Sequence, residues 1–403
     1  MRDAAMKLTG GFPRSLSRRD LLRGSLTAGG ALLSGFEKIA WPESLSHPIQ
    51  NPLTAGKKLG IVDFSAEAPV PLETPFGNGL DGRMYTDLAR LTPEQRVTLT
   101  ESFYIRTRAS DLLPTDKPWL VRVGGRVPRP FDLSIDELEK GSKPAGLHLM
   151  ECAGNARSVH FAMMSVADWA GVPLLAILDN AKVKQQGTRV LVSGFDVYTA
   201  KSTSSLPGAS WIFTWDQLRS AGAFLATEMN GSPLTVDHGS PVRLIVPGWY
   251  GCACIKWVNE ITLVEDAADA TSQMQEFATR TQQTGVPKLA RDFQPATMDQ
   301  AAMPVRIEKW LVDDRIQYRV FGILWGGSQA VKSLEVRFNP EEDYVAVESF
   351  EHHVSDPWSF WTHNWTPKQT GTYMIRLRVK DPQVVARRMD AGYYLRSVEI
   401  TEV

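Results

Sequence analysis

From Pro304 to the C-terminus the chain alternates short apolar or aromatic runs with turn signals. The runs fall at 305–311, 316–324, 333–338, 373–379 and 393–400. A strand of that length cannot bury its apolar face alone, so runs at this spacing predict a β-sandwich of about a hundred residues. The stretch before it, 267–300, is rich in Ala, Thr and Gln and reads as a connector with some helix. With 403 residues there is material for a second core upstream.

That upstream part mixes element types. Residues 41–95 are rich in Pro, Gly and Asn and predict an extended arm, ending in a helix cap at Thr92-Pro93-Glu94. A strand follows at 101–108, in which Arg106 and Arg108 share a face. A hairpin is expected at 116–125, with Gly124-Gly125 as its turn, and a short helix at 135–139 with Ser134 as N-cap. Residues 165–178 read as a capped helix and 189–197 as a buried strand. A Gly- and Pro-punctuated loop at 204–218 leads into another cap, 229–251 is dense in turns around one apolar strand, and 256–264 alternates as a further strand. The fold class is therefore α+β: mixed β-sheets followed by a β-sandwich.

The upstream part is organised around Leu147-His-Leu-Met-Glu-Cys-Ala-Gly-Asn-Ala-Arg157. An apolar strand ends in a thiol, and small residues then turn the backbone. Gly154 can adopt angles closed to other residues, and Asn155 tolerates them better than most. Cys152 is thus expected at a strand end open to a bound group, with the positive charge of Arg157 five residues on. A buried structural cysteine before a turn is the plainer alternative.

Composition narrows the classes. A formal charge of −1 gives no basic field, so nucleic acid is not an implied partner. Three cysteines, Cys152, Cys252 and Cys254, cannot build a disulfide framework. In a strand Cys252 and Cys254 would face the same side, a poor start for a tetrahedral metal site. No Cys-x-x-Cys-His occurs, so no covalently attached haem is encoded. Beyond the N-terminal region no run approaches roughly 18 apolar residues, which excludes a multi-span membrane protein. At the N-terminus, Arg18-Arg19 precede a mild Gly- and Ala-rich stretch at 24–36, similar to a twin-arginine export signal. That route carries folded, cofactor-loaded proteins, and the expected location is the periplasm.

Taken in order, these pieces resemble the sulfite oxidase family of molybdopterin-dependent oxidoreductases. The motifs are Cys-Ala-Gly-Asn-x-Arg at Cys152 to Arg157, then Val246-Pro-Gly-Trp-Tyr-Gly251 with Ile255-Lys-Trp-Val258. The third is the C-terminal set Tyr318-Arg-Val-Phe-Gly-Ile-Leu-Trp-Gly-Gly327, Leu334-Glu-Val-Arg337 and Trp358-Ser-Phe-Trp361. The resemblance implies one molybdenum held by a single pyranopterin (Mo-molybdopterin) and by Cys152, whose soft thiolate suits a metal–sulfur centre and whose pKa nearby positive charge would lower. It implies catalytic roles for Arg106, Cys152 and Arg157. Cofactor contacts would come from Arg106, Thr107, Arg108, Cys152, Asp196, His238, Arg243, Cys254, Ile255 and Lys256. It further implies a signal region at 1–40, a cofactor domain at 41–290 and an immunoglobulin-like dimerisation domain at 291–403.

The chain also departs from the pattern. Sulfite-oxidising members carry a tyrosine beside the metal. In the corresponding segment, 272–280, no tyrosine occurs and Phe277 or Ala278 stands nearest. The loop after Arg157 lacks the family's lysine and tryptophan, leaving His160 and Phe161 in related space, and no C-terminal arginine matches the one that completes the oxyanion site in some members. The implied reaction moves an oxygen atom and two electrons, most simply oxidising sulfite or a related oxyanion and passing electrons to an external carrier such as a c-type cytochrome. Reduction of a sulfoxide or N-oxide is the alternative, favoured by an apolar pocket of Phe161, Phe277 and methionines. A non-catalytic binding protein is the third reading. For Trp358, Trp361 and Trp365, core is the default and interface the alternative.

Overall fold

Two five-stranded sheets carry the C-terminal third, and the chain before it supplies an edge strand to each. The structure is a computed structural model that describes residues 56–65, 82–107, 113, 117–155, 161–180, 185–195, 209–350, 352–391 and 394–403, all within the compact unit Lys38–Val403. One C-terminal sheet has the order Lys57–Val62, Ala301–Val312, Arg315–Trp325, Trp358–Trp365, Ser349–Phe350. The other has Val345–Ala346, Leu334–Arg337, Gly371–Val379, Arg396–Ile400, Phe64–Ser65. Every pairing in both is antiparallel. Within the described residues the expected arm thus passes from the edge of one sheet at Val62 to the edge of the other at Phe64.

Aromatic packing joins the two layers. The Phe338 and Trp365 rings stack at 4.2 Å and 3°, and Tyr373 meets Trp365 edge-on at 4.8 Å. Trp358 and Trp361 are fully buried and Trp365 nearly so, which makes all three core residues. Gly322 lies directly under the Trp361 indole: a Cβ there would come within 2.2 Å of the ring. Gly322→Ala must therefore displace a buried tryptophan, and we expect a loss of about 2–3 kcal/mol from overpacking. Thermal unfolding of the variant measures it, and an unchanged midpoint would mean that the ring relaxes freely.

Upstream, a mixed sheet runs in the order Ser210–Phe213, Thr188–Gly194, Val258–Glu265, Leu120–Gly125, Phe131–Ser134, with a parallel pair between Val258–Glu265 and Leu120–Gly125. An antiparallel sheet beside it joins Ser232–Pro233, Phe224–Met229, Met164–Pro173 and Lys143–Glu151, and Arg243–Ile245 also pairs with Phe224–Met229. The α-helices are short: Ile135–Gly141, Leu174–Asn180, Trp215–Ala221 and Ser272–Phe277. Two carry reciprocal capping boxes, Ser134 with Glu137 and Thr214 with Gln217, so the Ser134 cap stands where the sequence predicts it. Among the described residues no helix is long and apolar enough to cross a membrane.

Several local expectations need correction: no helix starts at Thr92-Pro93-Glu94, and Ser210–Phe213, expected inside a loop, is a strand that leads directly into the Trp215–Ala221 helix. Residues 165–178, read as a helix, are mostly the strand Met164–Pro173, with the Leu174–Asn180 helix following. This strand is paired on both sides and almost wholly buried, so the alternation that would have marked it is absent. Gly124 and Gly125 lie inside the Leu120–Gly125 strand, and the hairpin turns after them, before Phe131. Cys252 and Cys254 are not on a strand: Gly251–Ala253 is a single 3-10 turn.

Candidate active site around Cys152

The strand Lys143–Glu151 delivers Cys152 to the mouth of a cleft. Its pairing with Met164–Pro173 continues one step further, as Cys152 N–H donates to Met163 O at 2.9 Å. The turn then closes through Asn155 N–H to Cys152 O at 2.9 Å, while Asn155 Oδ1 accepts from Met163 N–H at 3.1 Å. Gly154 N–H points at the Cys152 sulfur, 3.3 Å away. Neither Gly154 nor Asn155 has a positive φ, contrary to the expectation. What the small residue provides is proximity: a Cβ on Gly154 would sit 3.5 Å from Sγ and 3.8 Å from the Arg280 guanidinium.

The cleft, about 680 Å³ counted out to its mouth, is lined by Tyr104, Arg106, Cys152, Arg243, Lys256 and Phe277, among others. Arg106 comes from the strand Ile105–Thr107, shorter than the run expected at 101–108, whose start is the 3-10 turn Thr100–Ser102. Arg243 opens the strand Arg243–Ile245 and is only 4% exposed. Its guanidinium donates to His238 O at 3.2 Å and approaches Met150 Sδ at 2.7 Å, while its Nε has no partner among the described residues. No carboxylate pairs with it among those residues. Lys256 Nζ donates to Asp237 O at 2.6 Å. Cys254 and Ile255 also line the wall, and Cys254 Sγ receives Val246 N–H at 3.4 Å.

His238 sits behind this wall. Its Nδ1 meets Thr235 Oγ1 at 2.6 Å and its Nε2 meets Phe103 O at 3.2 Å, so both ring nitrogens serve the protein. Burial lowers its pKa to about 4 and keeps the imidazole neutral. Its role is to hold the Phe103–Tyr104 segment, and Tyr104 in turn faces the cleft. Arg108, Arg157 and Asp196 lie outside the described residues, as does His160, and of Thr107 only the backbone is described.

The electrostatic expectation for Cys152 also changes. Burial pushes the thiol pKa up, and it outweighs the lowering by the Gly154 N–H and by Arg106. A thiolate there depends on the charge of a bound metal. Among the described residues no group of three or more His, Cys, Asp or Glu could hold a metal ion. Three thiols, Cys152, Cys252 and Cys254, line the cleft without forming such a group, so the remaining ligands of a metal on Cys152 would arrive with a cofactor.

Sequence reasoning missed four residues here. Tyr104 brings a phenol to the cleft from the strand side, and burial, with Cys152 adding to it, raises its pKa well above the usual range. Arg280, from the turn Ala278–Arg280, reaches Ala153 O at 3.5 Å and acts electrostatically on Cys152. Among the described residues it forms no ion pair. Glu151 and Arg387 form a buried fork–fork pair immediately behind Cys152, with two contacts of 3.0 Å. Arg387 is thus the C-terminal arginine near the site, but its charge is matched by Glu151. Phe161, expected in an apolar pocket, is 3% exposed and packs on Trp325 and Tyr394 in the core.

Residues 110–272 match the oxidoreductase molybdopterin binding domain. The chain is 33% identical over 164 residues to the NADPH nitrate reductase of Beauveria bassiana, covering 38% of this chain and 18% of that protein. It is 26% identical over 324 residues to the mitochondrial sulfite oxidase of Rattus norvegicus, covering 75% of this chain and 58% of that one. In neither case does it span two thirds of the relative's length. Its fold superimposes on the sulfane dehydrogenase SoxCD of Paracoccus pantotrophus with a TM-score of 0.60 at 16% identity, over 94% of this chain and 100% of that chain. The matched domain defines a molybdopterin-binding oxidoreductase. Within that class, the chain is similar to members of the sulfite oxidase family.

The cleft fits the cofactor that this family implies. A molybdopterin carries an anionic phosphate and several hydrogen-bonding edges. The cleft offers a buried guanidinium at Arg243 whose Nε, like Gln273 Oε1, has no partner among the described residues, together with the ammonium of Lys256 and the thiol of Cys152. Burying a cation without an anion is costly, so Arg243 makes sense in a site that binds one.

Proposed function

We propose that this chain oxidises sulfite or a closely related sulfur oxyanion and passes the electrons to an external carrier such as a c-type cytochrome. The observation that carries this reading is the pair of cations on either side of Cys152: Arg106 lines the cleft, and Arg280, 3.5 Å from Ala153 O, lines the adjoining cavity that Cys152 also borders. A molybdenum held there would supply oxygen-atom transfer and a two-electron change. The chain supplies the rest. Cys152 would anchor the metal, Gly154 N–H and Arg106 would stabilise the negative sulfur, and Arg243 with Lys256 would hold the anionic end of the cofactor. Arg106 and Arg280 draw in an anion and favour charge gathered on its oxygens, while Phe277 limits water beside Cys152.

The same pocket could serve an oxyanion in the reductive direction, and the nitrate reductase relatives favour that as the second reading. A neutral sulfoxide or N-oxide fits less well, because Phe161 lies in the core and Phe277 alone of the expected aromatic pair lines the cleft. The test is ferricyanide reduction by molybdenum-loaded protein with sulfite, run beside dye-dependent nitrate and sulfoxide reduction. Sulfite turnover supports the proposal, and turnover with nitrate or sulfoxide alone replaces it.

This reading includes Arg157, Thr107, Arg108 and Asp196 as site residues, with His238 supporting the wall through Phe103 rather than touching the cofactor, export by the twin-arginine route to the periplasm, and electron exit without a haem in this chain. It also divides the chain at about 290 into a cofactor domain and an immunoglobulin-like sandwich that pairs two copies. Arg280→Gln is expected to raise KM for sulfite by about tenfold with kcat within about threefold, the size of one charge-assisted contact in a partly solvated site. Steady-state kinetics at two ionic strengths measure it, and the variant's kcat/KM should also respond less to salt. An unchanged KM would remove Arg280 from the anion site.

A further inference from the structure

Glu151 is the last residue of the strand that carries Cys152, and it is 1% exposed. A carboxylate so buried must be matched, and this one is matched on all sides. Arg387 donates from Nη1 to Oε1 and from Nη2 to Oε2, each at 3.0 Å, Trp325 Nε1 donates at 2.9 Å, and Asn155 Nδ2 approaches at 3.5 Å. Asn155 is the residue whose backbone and side chain close the Cys152 turn. One carboxylate therefore ties the turn that bears the thiol to an arginine 236 residues away in sequence.

Arg387 is itself held tightly. Its backbone N–H donates to Gln300 O at 2.9 Å, and Gln300 Nε2 donates to Trp325 O at 2.8 Å. Its guanidinium donates to Tyr250 Oη at 2.5 Å and Tyr394 Oη at 2.6 Å, and lies between 5.5 and 5.9 Å from the ring centres of Tyr250, Trp325 and Tyr394. Tyr250 Oη passes its own proton towards Asp299 Oδ2 at 3.4 Å. The fork is planar and two-pronged, so it fixes the carboxylate's rotation as well as its position.

We infer that Arg387 is a positioning residue for the molybdenum ligand: acting through Glu151 and Asn155, it sets the direction in which Cys152 presents its sulfur. The inference rests on Cys152 being the metal's protein ligand, not on which substrate is turned over. It gives the C-terminal segment a part in the site in addition to any role in pairing subunits.

The test compares Arg387→Lys with the double variant Glu151→Gln/Arg387→Met, both in the full-length, molybdenum-loaded protein. The first keeps the charge and loses the fork. The double variant removes the fork together with the Glu151 charge; Asp299, 3.6 Å from Arg387 Nε, loses its cation but keeps Tyr250 and Gln282, so this is the variant expected to fold even if the first does not. The readouts are molybdenum per chain, the visible thiolate-to-molybdenum absorption band and the split between kcat and KM. Outer partners of metal ligands typically carry about 10–100-fold in metal affinity or activity. We expect a loss of that size in metal retention or kcat, a shifted band, and KM within about threefold. A double variant with full metal, an unshifted band and parental kcat overturns the inference, and so does a variant that loses only thermal stability. If the parent turns over no sulfite, metal content and the band still decide the matter, so failure of the substrate reading is told apart from failure of this one.

Discussion

Cys152→Ala is expected to lower turnover by about 10³-fold or more, because replacing mere outer partners of a metal ligand already costs about 10–100-fold. The fold should survive. Cys152 is buried, but its backbone bonds to Met163 and Asn155 do not need the sulfur, and alanine leaves a void of one atom, worth about 1 kcal/mol. The variant should also lose the thiolate-to-metal absorption band and part of its metal. Ferricyanide assays, metal analysis and thermal unfolding on the same preparation separate these effects. A folded, fully loaded variant with parental turnover would show that the metal has no need of this thiol, and the site would have to be sought elsewhere.

Arg243→Met is expected to act in opposite directions on the two states of the protein. In the cofactor-free chain the Arg243 guanidinium is buried with no carboxylate partner among the described residues, and burial lowers its pKa. Replacing it with an unbranched apolar side chain removes that desolvation cost, so the cofactor-free variant should be as stable as the parent or more so. In the loaded protein the same change deletes a charge-assisted contact to the cofactor's anionic end, about 1.5–3 kcal/mol, or about 10–100-fold in retention. Melting curves of both forms, with molybdopterin release followed after dilution, test both halves. A variant that is destabilised without cofactor and holds it normally would make Arg243 a structural cation.

The site was partly legible because its signals are local. A strand-ending thiol followed by small residues predicted the Cys152 turn, and alternation put Arg106 on the strand beside it. The turn works differently from the expectation, since Gly154 admits close approach and Asn155 contributes its side-chain hydrogen bonds. Arg280 carried no pattern of its own: an exposed arginine after a short helix looks like any surface charge until the fold brings it to Ala153. Tyr104 was read as a strand aromatic, and only the closure of the cleft gives its phenol a chemical setting.

The fold shows the same division. The five C-terminal runs are strands, at Ala301–Val312, Arg315–Trp325, Leu334–Arg337, Gly371–Val379 and Arg396–Ile400, because period-two patterning with turn residues between runs is written into neighbouring positions. The strand Trp358–Trp365 was not foreseen, being a run of aromatic and polar residues with five successive buried positions and no clean alternation. Met164–Pro173 was mistaken for a helix for a similar reason, since a strand buried on both faces has no polar side to reveal its period.

By itself, then, the amino-acid sequence determined the element types wherever one face meets water, and the thiol at the end of its strand, because those depend on residues within a few positions of one another. The partnership of Glu151 with Arg387, the reach of Arg280 and the unmatched charge of Arg243 were decided by the tertiary structure alone. Arg280 depends on which distant segment the fold brings beside it, while the other two depend on which groups share a water-excluded space, and the cost of burying a charge is set by that space rather than by the chain's local order.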